Sequence, residues 1–406
     1  MHHWQSALGI AVVLGTSTAH AQLALMDIPP EPEPTLEVYG YAMLDLGYDF
    51  GQLGDPRWQD VVRPTKLPSF TDQYGKDGRW FEGARQSRLG VVWTLPTDHG
   101  DVYTKLEFDM FGVGQDAGQT TFRLRHAYGE WHGLRAGQTW SPFVDPDVLP
   151  ETNEYWGPIG MANFRNAQLA FMLYRSGDSD VTLAVERPGW TNDAAATGER
   201  VDLPGTIPRF PVPDISADVK LAESWGHVRI AGIVRYIAWD DRPLSEIVEG
   251  HTWGWGANVS SRIDLSPVRL KLQAVYGKAI ESYLSDAGLD VVPKFADPAV
   301  MTRAIEAAGL SVLGLSGFIE MKWSDYLSST AGYSFVWIDN TAGQLPDAFH
   351  IGHYALGNLH IHPSEWIVFG PEFQYGRRTN HSDGFSANDY RIQLSFQYRF
   401  DHKLGR

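Results

Sequence analysis

The chain has 406 residues and no cysteine, which excludes disulfides, thiolate metal sites and cysteine nucleophiles. A formal net charge of -16 argues against nucleic acid as a partner. Aromatic residues are plentiful, 15 Trp and 17 Tyr among them, yet mean hydropathy is only -0.26. That is too polar for a helical membrane protein, but it suits strands that meet lipid on one face only.

The first 21 residues read as a secretory signal: Ala7 to Leu14 is a short apolar run, and Ala19-His20-Ala21 is an A-x-A cleavage site. No later stretch approaches the ~20 apolar residues of a transmembrane helix. Residues 22–35 contain Pro29-Pro30-Glu31-Pro32-Glu33-Pro34, expected to be an extended tether on the periplasmic side. One domain then follows over residues 36–400, with 401–406 as a short tail.

Within that domain, alternation of apolar and polar residues predicts strands at 36–49, 87–95, 100–111, 121–131, 134–140, 168–175, 181–186 and 214–222. It continues at 227–239, 253–263, 268–276, 311–322, 327–337, 350–362, 365–376 and 389–400. Short connections such as His132–Gly133 alternate with long ones such as 50–86, 141–167 and 277–310. Strict short-long alternation is the signature of antiparallel up-and-down strands, with turns at one rim and loops at the other. The expected fold is therefore all-β, a transmembrane antiparallel barrel of about 16 strands. Asp297-Pro298 ahead of Ala299–Ala308 predicts a short helix inside the loop 277–310.

Strand parity then separates lumen from lipid, because a Lys or Arg facing the bilayer midplane costs roughly 2–4 kcal/mol. In 100–111 this turns Val102, Leu106 and Phe108 outward and Lys105, Glu107 and Asp109 inward. In 121–131, Phe122, Leu124 and Tyr128 go out and Arg123 and Arg125 in. Arg229 and Arg235 point inward from 227–239, Arg269 and Lys271 from 268–276, and Arg88 from 87–95. These cations either enrich small anions in an aqueous lumen or pair with carboxylates across it; the sequence leaves both readings open.

Other motifs carry less. Gly112-Val113-Gly114 with Gly118 lacks the spacing and the helix of a nucleotide loop. His350, His360 and His362 share a strand face, with His353 opposite, but no local carboxylate completes a metal site. Neither a catalytic triad nor a cofactor motif is evident, so no catalytic residue, metal or cofactor is assigned. Trp131, Trp239, Trp253, Trp323, Tyr326 and Trp366 fit aromatic girdles; as pore-lining rings they would instead suit a carbohydrate channel.

Longer motifs lie between residues 36 and 165. They include Tyr39-Gly40-Tyr41-Ala42-Met43-Leu44-Asp45, Arg85-Gln86-Ser87-Arg88-Leu89-Gly90 and Phe122-Arg123-Leu124-Arg125-His126-Ala127-Tyr128. Ala136-Gly137-Gln138-Thr139-Trp140-Ser141-Pro142-Phe143, Asp145-Pro146-Asp147 and Glu154-Tyr155-Trp156-Gly157-Pro158 continue the pattern. Together they resemble the DcaP-like family of trimeric outer-membrane porins. The resemblance implies a homotrimer in the outer membrane of a Gram-negative bacterium, surrounded by lipid, whose third extracellular loop (here 141–167) folds inward. It also implies uptake of small anions such as dicarboxylates through a basic constriction. The matching basic positions are Arg88, Arg123, Arg125 and Arg165; Trp140, Phe143, Asp145, Asp147, Tyr155 and Trp156 belong to the constriction loop. A general or carbohydrate porin is the alternative, with a barrel enzyme or an adhesin as the rival class. Six residues after Phe400 depart from the usual aromatic end of such barrels.

Overall fold

The computed structural model describes residues 33–54, 60–111, 122–188, 206–241, 249–294 and 306–404. The signal-like segment and nearly all of the tether lie outside the described residues.

Alternating patterns become strands throughout. In chain order they are β1 (Thr35–Asp49), β2 (Arg79–Gly83), β3 (Arg88–Leu95), β4 (Val102–Asp109), β5 (Arg123–Trp131), β6 (Leu134–Trp140) and β7 (Arg165–Ser176). Next come β8 (Ser179–Glu186), β9 (Thr206–Arg209), β10 (Asp214–Glu223), β11 (Gly226–Asp241), β12 (Gly250–Leu265), β13 (Val268–Lys278) and β14 (Val291–Lys294). The last are β15 (Glu306–Gly309), β16 (Ser311–Ser324), β17 (Leu327–Asp339), β18 (Phe349–Asn358), β19 (His360–Ser364), β20 (Ile367–Asn380) and β21 (Ser386–Leu404). β18 and β19 form one wall strand, broken at Leu359, and β2, β9, β14 and β15 are loop strands. Sixteen antiparallel wall strands remain, and β1 closes the barrel against β21, from Leu36↔Leu404 to Asp49↔Arg391. β21 thus runs past Phe400 and takes in residues 401–404 of the segment read as a tail. Glu306 and the residues after it pair with β14 as a strand, so the helix expected to reach Ala308 does not extend there.

The inside-out pattern of a membrane barrel is explicit. Along β10, Asp214, Ser216 and Asp218 are buried on the inner face, while Ile215, Val219 and Leu221 are exposed on the outer one. The tight turns require their special residues: His132 and Gly133 both take positive φ (50° and 78°) between β5 and β6.

One parity assignment fails. Register shifts between Glu107 and Phe108, so Arg125 is extra in the pairing of β4 with β5. Such a bulge flips the face of every later residue. Tyr128 consequently sits opposite Lys105 and faces the lumen, not lipid. The aromatic girdle also loses a member: Trp239 is buried against Ile237, Ala279 and Val291, under the first residues after β13.

The lumen is not an open pipe. Among the described residues three loops enter it: Asp60–Ser69 of the first, Ser141–Phe164 of the third and Ala279–Lys294 of the sixth. Their apolar side chains, Val62, Phe143, Ile159, Tyr283 and Leu284 among them, pack on inward-facing Ile233, Val275, Phe318, Val336 and Leu356 of the wall. A hydrophobic core therefore fills the side of the barrel from β11 to β18. On the opposite side a cavity remains, lined from β1, β3, β5, β6 and β21.

Candidate functional site: a basic eyelet

The third loop is held across the barrel by buried polar contacts from one wall strand after another. Asp145 accepts from His227 Nε2 (2.7 Å) and Ser260 Oγ (2.6 Å), and Asn258 Nδ2 donates to the Phe143 carbonyl (2.7 Å). Lys271 Nζ donates to the Leu149 carbonyl (2.7 Å), and Glu320 accepts from Glu151 N–H (2.9 Å). Glu372 takes the N–H groups of Asn153 (2.7 Å) and Glu154 (3.0 Å). Close backbone approach completes the seal: a Cβ on Gly314 of β16 would lie 2.0 Å from the Gly160 carbonyl oxygen. Burial pushes the Glu154 carboxyl up to about 8, although it accepts from Val62 N–H (3.1 Å) and Gly157 N–H (2.7 Å). Glu154 thereby joins the first loop to the third.

Between this loop and the wall of β1, β3 and β5 lies a cavity of about 310 Å³. Arg88, Arg125 and Arg165 line it, with Tyr41 from β1 and Trp140, Tyr155 and Trp156 from the loop side. Glu107 and Asp109 organise the cations. Arg125 bonds Glu107 (2.6 Å) and Asp109 (3.1 Å), and Arg123 grips Asp109 through two nitrogens (3.0 and 2.5 Å). Arg88 and Lys105 lie 3.7 and 3.6 Å from Glu107, and Tyr39 Oη donates to the same carboxylate (2.6 Å). Arg165 differs. It stands 4.5 Å over the Trp140 ring and 3.4 Å from Tyr155 Oη, and among the described residues no carboxylate is within ion-pair distance. Four cations thus share two carboxylates and Arg165 stands beside them with none, a local surplus of three positive charges.

Not every predicted residue comes here. Arg229 pairs with Asp218 (2.9 Å) on the far wall. Arg235 is fully buried between Asp214 (2.9 Å) and Asp290 (3.1 Å), where it ties the sixth loop to β11. Phe143, Asp145 and Asp147 anchor the loop and do not face the opening: Phe143 is in the core, and Asp147 takes Lys220 Nζ at 2.6 Å. Asp145, Asp147 and His227 bring ligand-type atoms within 4.8 Å of one another, but Lys220 and Ser260 already satisfy the carboxylates. The C-terminal histidines do not converge; His360 bonds Asn153, His362 bonds Ser328 and His353 bonds Tyr333 on the outer face. Sequence reasoning missed Tyr39, Tyr41 and the two additional inward loops. Val61-Val62 and Val291-Val292, apolar pairs inside polar loops, were the available signal.

The profile of the DcaP outer membrane protein family matches residues 35–400, nearly the whole described barrel. The chain belongs to that family. Among solved structures, the outer membrane channel DcaP of Acinetobacter baumannii superposes with a TM-score of 0.75 at 21% identity, covering 90% of this chain and 97% of that one. An anion-selective porin from Comamonas acidovorans gives 0.58 at 10% identity, over 91% of this chain and 100% of its own. OmpT of Vibrio cholerae, in a trimer form, gives 0.53 at 13% identity, over 90% and 99%. No curated protein sequence matches the chain. This DcaP-family protein is an outer-membrane porin of Gram-negative type.

Proposed function

We propose that the channel takes up small organic anions, dicarboxylates foremost, and selects them at the eyelet formed by Arg88, Arg123, Arg125 and Arg165. The observation that carries this is the surplus of three positive charges, with Arg165 held by aromatic rings and no carboxylate. A guanidinium so placed is free to grip a passing carboxylate in a narrow, partly dehydrated space. The loop side of the opening is mainly aromatic and uncharged, and its one carboxyl, Glu154, accepts from Val62 N–H and Gly157 N–H. The description of the Comamonas relative as anion-selective is consistent with this reading. Assembly as a trimer belongs to the same proposal. Planar-bilayer recordings across a KCl gradient, with and without succinate, test it. An anion-directed reversal potential and succinate block are expected; cation preference without block would move the function to a general or carbohydrate channel.

A further inference from the structure

The rule that turns cations inward is broken on the wall from β16 to β21. Among the described residues one arginine, Arg377 of β20, stands on the outer face there, in step with Phe373 and Tyr375 and exposed, whereas Arg378 and Arg391 are buried inside. Ser386 Oγ lies 3.4 Å from its Nη2, and among the described residues no carboxylate is within ion-pair distance. Its cross-strand partner is His353, also on the outer face, whose Nδ1 is bonded to Tyr333 Oη. The outward carboxylate of β17, Asp339, lies beyond Trp337, four residues above the Phe335 that pairs with His353. Arg377 stands ten residues above Ile367, where β20 begins, and His353 eleven above Ser364, where its wall strand ends. At about 3.4 Å per residue and a tilt of about 45° both lie about 24–26 Å above the turns, the outer edge of an apolar band about 25 Å tall.

The rung that joins Arg377 to His353 continues through Phe335 and Leu315 to Ala274 and Val259. Those four stand six to nine residues above their turns, so the row descends from headgroup level into the lipid band. There the outer face is hollowed. A cavity of about 630 Å³ is bounded by Val259, Leu272, Leu315 and Phe335, with His353 at its upper edge, and Ala274 and Gly317 add no bulk within it. That volume falls in the range of small-molecule sites, about 300–1,000 Å³.

We infer that this groove and the Arg377–His353 pair form one binding site for a phosphorylated lipid of the outer leaflet. An acyl chain lies in the groove, and the phosphate at its head meets the guanidinium and the imidazole. The groove is apolar and opens at the depth of acyl chains, which selects a lipid over a soluble solute. The cation at its upper end has no carboxylate of its own, which selects an anionic headgroup over a neutral one. The site lies on the outside of the barrel, away from the wall that carries the eyelet, and does not depend on what passes through the lumen.

Detergent-extracted protein, stripped of lipid, is titrated with diphosphoryl lipid A and read by native mass spectrometry, with inorganic pyrophosphate as a lipid-free competitor. Arg377→Gln removes the cation. Gly317→Leu fills the groove, where a Cβ would meet only Leu272 Cδ2 at 3.5 Å, an ordinary contact. Lys322→Gln removes an exposed cation at the turn rim and serves as the control. The parent and Lys322→Gln should bind the lipid alike, Arg377→Gln and Gly317→Leu at least about tenfold more weakly, and pyrophosphate should not displace it. Semi-native gels confirm that each variant is folded. Equal binding by the parent and Arg377→Gln overturns the inference. So does binding that Gly317→Leu leaves unchanged or that pyrophosphate reverses, since a free anion would then occupy Arg377.

Discussion

At the scale of single residues, the proposed selectivity turns on Glu107 and Arg165. Glu107 is shared by Arg125, Arg88, Lys105 and Tyr39, so its one charge neutralises little of the cluster. Arg165→Ala should move the reversal potential toward zero and weaken succinate block with conductance preserved, read in the same bilayers. Arg235→Ala should instead leave Asp214 and Asp290 unpaired in the core and destabilise the barrel by about 3–5 kcal/mol, seen in thermal unfolding in detergent. Glu154 supplies a pH prediction. Burial raises its carboxyl from 4.5 to about 8, so the protonated form is favoured in the folded protein. Its contribution is then full below 4.5 and is lost as pH rises through about 8. The melting temperature should fall between pH 6 and 9, and Glu154→Gln should remove that component of the fall. Equal pH profiles for the two proteins would contradict it. Arg88, Lys105, Arg123 and Arg125 were legible from parity, since lipid forbids the other face, whereas Arg165 came only from the family resemblance; Arg235 was legible as inward but not as buried, because the loop covering it has no periodicity to read.

Among the elements, the third loop is a strut bolted to the wall by Asp145, Asn153 and Glu154, and the proposed function needs it to act as a fixed constriction. Asp145→Ala removes the acceptor for both His227 and Ser260. Larger open-channel noise and a changed single-channel conductance should result, while the barrel still runs as a folded species on semi-native gels. The inward loop was expected from the family resemblance, and the wall strands from alternation, with ends within a few residues. The bulge at Arg125 was not legible: a single extra residue changes the face of Tyr128 without disturbing the pattern on either side. The packing of the first and sixth loops was equally hidden, since it depends on contacts between segments as distant as Arg63 and Asp286 (3.1 Å).

For the whole molecule, an acidic protein carries a basic passage. A hydrophobic core packs the loops on the wall from β11 to β18, and the cavity lies beside the wall that carries the arginines. On the proposed reading net charge is a poor guide to selectivity, because charges more than a Debye length from the eyelet are largely screened. The central claim is that three of these arginines set the ion preference. The most direct measurement is the reversal potential of the combined variant Arg88→Gln, Arg125→Gln and Arg165→Gln beside the parent protein in one KCl gradient. The parent should be anion-directed and the variant close to zero, because Arg123 and Lys105 then balance Glu107 and Asp109. An unchanged reversal potential in a conducting variant would contradict the account.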